Sequence, residues 1–159
     1  MHLDCTPTSR YEAINSRNAP KVTAAPKPSA KTRLLDAALM VIRAKGYAAS
    51  TVDDLCAVAG VTKGAFFHHF ASKDALAVAA ADHWSAMTGA FFAQAPYHSH
   101  ADPLDRVLGY IDFRRAIMQG PVAQFTCLVG TMVQETYDSH SAIRDACHAS
   151  ISDHAGQID

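Results

Sequence analysis

From Lys31 onward, apolar and polar positions alternate with the period of a helix. Leu34, Leu35, Ala38, Leu39, Val41 and Ile42 recur every three to four residues, with Arg33, Asp36, Arg43 and Lys45 on the other face. The spacing predicts a helix that buries one stripe, with Gly46 as its C-cap. Ser50 or Thr51 opens a second helix, in which Asp54 is the acidic member of a capping-box pair and Val52, Leu55, Val58 and Ala59 are the apolar positions. Gly60 stops it after barely two turns. Thr62 caps a third short helix through Phe70, and Ser72, followed by Asp74, caps a fourth. This alanine-rich fourth helix runs from about residue 73 toward Ala95, where Pro96 ends it. Three more helices, over about 102–119, about 121–137 and from about 141 onward, are punctuated by Pro103, Gly120, Pro121 and Asp138-Ser139. No segment alternates with the period of a strand, and no repeat stands out. The fold class is all-α.

Residues 1–29 break this pattern. They hold four of the seven prolines, and beyond Met1 their only large aliphatics are Leu3, Ile14 and Val22. Such a segment buries too little apolar surface to offset its ordering, so it is expected to be a disordered arm. Lys21, Lys27 and Lys31 are either polyanion contacts or plain solvated charges. The remainder divides into a helix-turn-helix domain over 30–80 and a second helical domain over 81–159.

Two short helices joined by Gly60-Val61-Thr62, together about 51–70, have the spacing of a helix-turn-helix. In that arrangement the second helix enters a DNA major groove while the first braces it. At 100° per residue, Phe66 and Phe70 lie within about 40° of each other and face inward. The opposite face presents Gly64, Ala65 and His68, flanked by Phe67 and His69. Small residues at 64 and 65 admit base edges, Ala65 suits a thymine methyl, and His68 suits a guanine acceptor. Thr62, Lys63, His69 and Lys73, with Thr51 on the bracing helix, are placed for phosphates.

Charge supports this polarity. Residues 1–80 carry ten Lys or Arg against six Asp or Glu, whereas residues 81–159 carry four against nine. The front half therefore suits a polyanion and the back half does not. With 159 residues and 49% of them hydrophobic, the chain is long enough for one substantial core or two small ones sharing an interface. The four cysteines are scattered, form no CxxC and follow no secretory signal, and no run approaches the roughly 20 apolar residues of a membrane span. Reduced thiols in a cytoplasmic protein, away from membranes, are the expectation.

The segment TVDDLCAVAGVTKGAFFHHFASKDAL, preceded by KTRLLDAALMVIRAKGYAAS, resembles the DNA-binding domain of the TetR/AcrR family of transcriptional regulators. The resemblance covers roughly residues 31–80 and rests on a Gly-Val-Thr-Lys-Gly turn followed by aromatic-His-His-Phe-x-x-Lys. It implies that Lys63, Gly64, Ala65 and His68 face bases, and that Thr62, Phe67, His69 and Lys73 meet the DNA backbone. The family usually has tyrosine at the position of Phe67. Its hydroxyl bond to a phosphate is lost here, at a cost of about 1 kcal/mol.

The resemblance further implies a ligand-binding and dimerising helical domain in the second half. Trp84, Phe91, Tyr110, Phe113, Cys127 and Met132 are the candidate pocket residues, with Met87, Phe92, Met118, Phe125 and Tyr137 of the same character, although helical spacing of such residues more often marks core. The stretch CLVGTMVQE resembles a segment in family members that respond to electrophiles. Cys127 is thus either a sensor thiol or, as free cysteine commonly is, a small buried hydrophobe. Gln134 and Glu135 either orient a polar ligand or face solvent. Family members continue through two long C-terminal helices, whereas here the last predicted helix starts near Ser141 and the sequence stops at Asp159. The final helix is expected to be absent, with dimerisation reduced.

The implied function is a ligand-responsive regulator, a repressor that binds a palindromic double-stranded DNA operator as a homodimer and is released by a small-molecule effector. The alternative is a truncated helical sensor or interaction protein with impaired DNA binding. A zinc or hydrolytic enzyme is disfavoured. His68 and His69 are adjacent and point about 100° apart, unlike the i, i+4 pairs that ligate metals, and no HExxH, CxxC, GxSxG, P-loop or GxGxxG is present. No metal or cofactor is expected.

Overall fold

The computed structural model describes residues 28–157. The predicted arm, with Lys21 and Lys27, and also Cys5, lie outside them but for its last two residues. Eight α-helices and one 3-10 turn follow in order, with no strand among the described residues. Ser29 accepts from the Thr32 N–H and starts α1 (Ala30–Lys45). Thr51 and Asp54 form the full capping box of α2 (Val52–Ala59), each side chain accepting the other's backbone N–H. Ser50, the other candidate cap, is buried and bonds the Gly46 carbonyl instead. Thr62 caps α3 (Lys63–His69) and Ser72 caps α4 (Lys73–Ala93). Pro96–Ser99 forms the 3-10 turn, and α5 (Pro103–Ile117), α6 (Val122–Phe125), α7 (Leu128–Thr136) and α8 (Ser141–Gly156) complete the chain.

The predicted helix over 121–137 is two helices. Thr126 and Cys127 adopt extended backbone between them. The broken ladder frees carbonyls, and Arg43 of α1 takes two: its Nε donates to the Thr126 oxygen at 2.7 Å, and Nη2 donates to the Gln124 oxygen. The interruption depends on a partner about eighty positions away, which local periodicity cannot show.

A single apolar cluster unites both predicted domains. Leu34, Ile42, Leu55, Phe66 and Leu76 pack with Leu128, Met132, Ile143 and Cys147. Burying each large side chain contributes about 1.5–3 kcal/mol. Val58, predicted to be an apolar core position, is about half exposed. A smaller cluster holds Phe92, Ala95 and Tyr97, with Tyr110, Phe113 and Ile117 against it. Helix α5 buries no residue fully, and Leu104, Leu108 and Ile111 are exposed along it.

Two glycines have a conformational reason. Gly60 turns α2 into α3 at φ 62° and ψ 43°, the left-handed region. Arg33 Nη1 seals that end by donating to the carbonyls of Ala59 and Gly60. Gly46 has φ 87°, and a Cβ there would meet Glu135 Oε1 at 2.3 Å. A side chain at 46 would be strained by that backbone and would also have to displace the Glu135 carboxylate.

The capping box also carries a pH dependence. The Lys45 ammonium first, then the Thr51 hydroxyl and N–H, hold the Asp54 carboxyl well below the usual carboxylate range. A group with a depressed folded-state pKa stabilises fully above its unfolded value, about 3.9 for aspartate, and loses that contribution as pH falls through the folded value. Thermal unfolding of the parent and Asp54→Asn is therefore expected to differ most above about pH 5 and to converge as the pH falls below about 4. A gap that stays constant down to acid pH would contradict this account.

Candidate nucleic-acid interface and effector cavity

Helices α2 and α3 present one face outward. Phe66 is fully buried and Phe70 is buried beside it, ring centroids 6.0 Å apart, which anchors α3 to the core. Thr62, Lys63, Gly64, Phe67, His68 and His69 are exposed, with Ala65 half-buried between them. Phe67 is 56% exposed, with its ring edge-on to Phe66 at 5.1 Å, and His68 and His69 lie edge-on at 4.9 Å. The doubled letters thus separate by helical geometry, one phenylalanine inside and its neighbour outside. At Gly64 an added Cβ would approach nothing closer than Thr62 Oγ1 at 3.7 Å, so the protein itself does not demand glycine there.

The cationic positions differ in their freedom. Lys63 pairs with Asp53 at 2.8 Å, both well exposed, and this contact raises the lysine pKa. An exposed pair of this kind holds its partners weakly, so Lys63 can leave it for DNA. Thr51 is exposed at the start of α2, though its hydroxyl donates to Asp54. Lys73 departs from the expectation of a phosphate contact. Its Nζ donates to the Tyr47 and Ser50 carbonyls at 3.1 and 3.0 Å and sits 4.1 Å from the Tyr47 ring centroid. Lys73 pins the loop between α1 and α2, adding a second bond to the Tyr47 carbonyl, which the Ser50 N–H also reaches, and one to the Ser50 carbonyl.

A second feature lies in the other half. A cavity of about 520 Å³, within the usual size range of small-molecule sites, opens between α1, α4, α5, the α6–α7 segment and α8. Trp84, Phe91 and Cys127 line it, as do Met87, Phe92, Met118 and Phe125. Three predicted members do not. Met132 is fully buried in the main core, because α7 turns that face toward α1 and α8. Tyr110 and Phe113 pack in the smaller cluster around Phe92 and Tyr97. Tyr137, of the same predicted set, is 61% exposed.

Sequence reasoning missed the polar wall: Arg43, Arg114, Gln124, Ser150 and His154. Arg43 lies 5.0 Å from the Trp84 ring centroid, and burial lowers its pKa. Arg114 lies 5.4 Å from the Phe92 centroid and 6.0 Å from that of Tyr110. No periodicity argument joins Arg43 of α1 to a pocket whose other walls start forty residues later.

Cys127 is exposed, contrary to the small-hydrophobe reading, because the helix break sets it in extended backbone at the start of α7. Cys56 and Cys147 are buried free thiols, and burial pushes the Cys147 pKa up to about 11. Glu135 is exposed, one of the two alternatives the sequence allows, and does not line the cavity, but its carboxylate is engaged. It accepts from the Tyr47 and Ala48 N–H groups at 3.3 and 2.7 Å. Among the described residues no three metal-ligating side chains gather, and no helix is long and apolar enough to cross a membrane.

Residues 34–80 match the family described as "Bacterial regulatory proteins, tetR family". A TetR-type transcriptional regulator from Streptomyces avermitilis superposes with a TM-score of 0.65 at 30% identity, over 79% of this chain and 67% of that one. The chain belongs to the TetR family. A TetR-family regulator from Agrobacterium tumefaciens shares the fold at a TM-score of 0.67 and 19% identity, over 78% of this chain and 64% of its own. The HTH-type transcriptional regulator YerO of Bacillus subtilis is 34% identical over 58 residues, 36% of this chain and 20% of that protein. The chain thus spans a fifth of YerO and about two thirds of these structures. Within the TetR family, the all-helical fold and the N-terminal helix-turn-helix are what the sequence predicts.

Proposed function

We propose that this TetR-family chain is a cytoplasmic repressor that binds a palindromic double-stranded operator as a homodimer and lets go when a small-molecule effector fills the cavity. The observation that carries the DNA reading is the outward face of α2–α3. Thr51, Thr62, Lys63, Gly64, Phe67, His68 and His69 are exposed, with Ala65 half-buried among them, over a core-anchored Phe66. In this reading Lys63, Gly64, Ala65 and His68 read base edges, while Thr51, Thr62, Phe67 and His69 meet the backbone. Lys73 is left out, because its ammonium is spent on the α1–α2 loop. Two half-sites require two reading heads, which favours a dimer.

Fluorescence anisotropy on the promoter of its own gene or a neighbouring one, at two salt concentrations, tests this. Binding is expected, with log affinity falling by about 0.9 per neutralised phosphate for each tenfold rise in salt. Gly64→Ala is expected to fold at least as stably, since alanine is the better helix former by about 1 kcal/mol. It should nonetheless weaken operator binding about tenfold by blocking close base approach, within the range of one lost base contact. Absent or salt-independent binding would sink the repressor reading. The rival, a helical sensor with impaired DNA binding, draws on the inward Lys73 and the missing Phe67 hydroxyl, and predicts that absence.

A further inference from the structure

The cavity wall has an uncommon charge balance. Arg43 and Arg114 line it, and no Asp or Glu does, although acids outnumber Lys and Arg nine to four over residues 81–159. The two arginines are differently engaged. Arg43 is committed to the carbonyls of Gln124 and Thr126 and to the Trp84 ring. Arg114 rests on the ring faces of Phe92 and Tyr110, and none of the ion pairs formed by the described residues includes it.

Ring faces attract a guanidinium but accept none of its five N–H donors in the planar geometry it offers. A carboxylate does, in bidentate fashion, and gains most where water is scarce. His154, whose Nε2 lies 3.1 Å from the Tyr110 hydroxyl, stands beside it. Burial, and then Arg114 itself, lower the His154 pKa, so the imidazole stays neutral near pH 7 and adds no second charge. Trp84, Met87, Phe91, Phe125 and Ile151 supply apolar wall.

We propose that the cavity takes a monoanionic amphiphile, an apolar chain or ring system bearing one carboxylate, and that Arg114 is its anion receptor. This deepens the effector reading of the same cavity and rests on it. Both guanidiniums keep their charge, but Arg43 has its N–H donors on carbonyls, so Arg114 is the one with donors left to chelate a carboxylate. A polyphosphate offers more acceptor oxygens than the free donors of Arg114 can meet, and cationic ligands meet repulsion from both arginines.

The chain has one tryptophan, Trp84, in the cavity wall, so its emission reports occupancy directly. The full chain would be titrated with octanoate, 1-octanol and octylammonium below their aggregation concentrations, with 2-naphthoate and its alcohol compared by calorimetry. At least one acid is expected to bind about tenfold or more tighter than its alcohol, with octylammonium weakest. Arg114→Met is expected to erase the preference for acid while leaving alcohol affinity unchanged, and Arg114→Lys to retain most of it. Equal affinity of acid and alcohol, no binding of either acid, or a preference that survives Arg114→Met overturns the proposal. Operator affinity measured alongside separates the two readings. Acid binding that leaves DNA affinity unchanged supports the ligand class and overturns the effector role, whereas failure of acid binding with DNA binding intact overturns the ligand class alone.

Discussion

Phe66→Ala is expected to destabilise the protein by about 3–5 kcal/mol and to abolish operator binding, whereas Phe67→Ala, one position along, is expected to leave stability within about 0.5 kcal/mol. The contrast follows from burial alone. Phe66 has no exposed surface and belongs to the cluster that joins α1, α2, α4, α7 and α8, so removing its ring opens a cavity beneath the reading face. Such a loss is a large share of a total stability of the order of 5–15 kcal/mol, and it falls on the side chain that anchors α3, so α3 is expected to undock first. Phe67 projects from the other side of the same turn and is 56% exposed, so its truncation uncovers little core. Its effect is expected at the DNA, where Phe67→Tyr should tighten binding by about 1 kcal/mol, roughly fivefold, by restoring one hydrogen bond to phosphate. Urea unfolding followed by circular dichroism measures the first pair, and anisotropy measures the third. A Phe66→Ala protein that unfolds at the parent's urea concentration would refute the assignment of Phe66 to the core.

What the chain disclosed in advance was local. Thr51, Thr62 and Ser72 announce helix starts by chemistry that acts within three residues, and Gly60 announces a turn that only a left-handed backbone completes. The inward and outward sides of α3 follow from a 100° rotation per residue, which is why Phe66 and Phe67 part company. What stayed hidden was long-range. The break at Thr126–Cys127 depends on Arg43, the occupation of Lys73 depends on where the α1–α2 loop passes, and Met132 is core because α7 lies against α1. The sorting of aromatic residues between core and cavity failed for the same reason. Tyr110 and Trp84 have equal credentials as letters, and only the packing of α4 against α5 and α8 sends one to the small cluster and the other to the wall.

Glu135→Ala is expected to uncouple the reading head from the cavity. Its carboxylate binds the Tyr47 and Ala48 N–H groups, in the loop that leads into α2, and lies over Gly46. Hydrogen bonds to a charged group contribute about 1.5–3 kcal/mol. Glu135 is solvent-exposed, so the lower figure applies, and in a chain of this size it lowers Tm by about 3–6 °C. The larger consequence is functional. Helix α7 follows its N-cap Cys127, in the cavity wall, and ends one residue past Glu135, so a ligand that shifts α7 moves the carboxylate and, through its two bonds to backbone N–H groups, the entry to α2. Arg43 forms the second tie, from α1 to Gln124 and Thr126 on the far side of the break. A ligand changes DNA affinity only through a difference in its binding to the two states, and that difference needs a mechanical connection. Glu135 does not line the cavity, so its removal is expected to leave ligand affinity intact. The ratio of operator affinities without and with octanoate should fall toward one in Glu135→Ala, and Glu135→Gln, which retains an acceptor oxygen, should fall between. A variant that releases DNA as fully as the parent would show that the signal bypasses Glu135 and travels through the Arg43 tie or through α4.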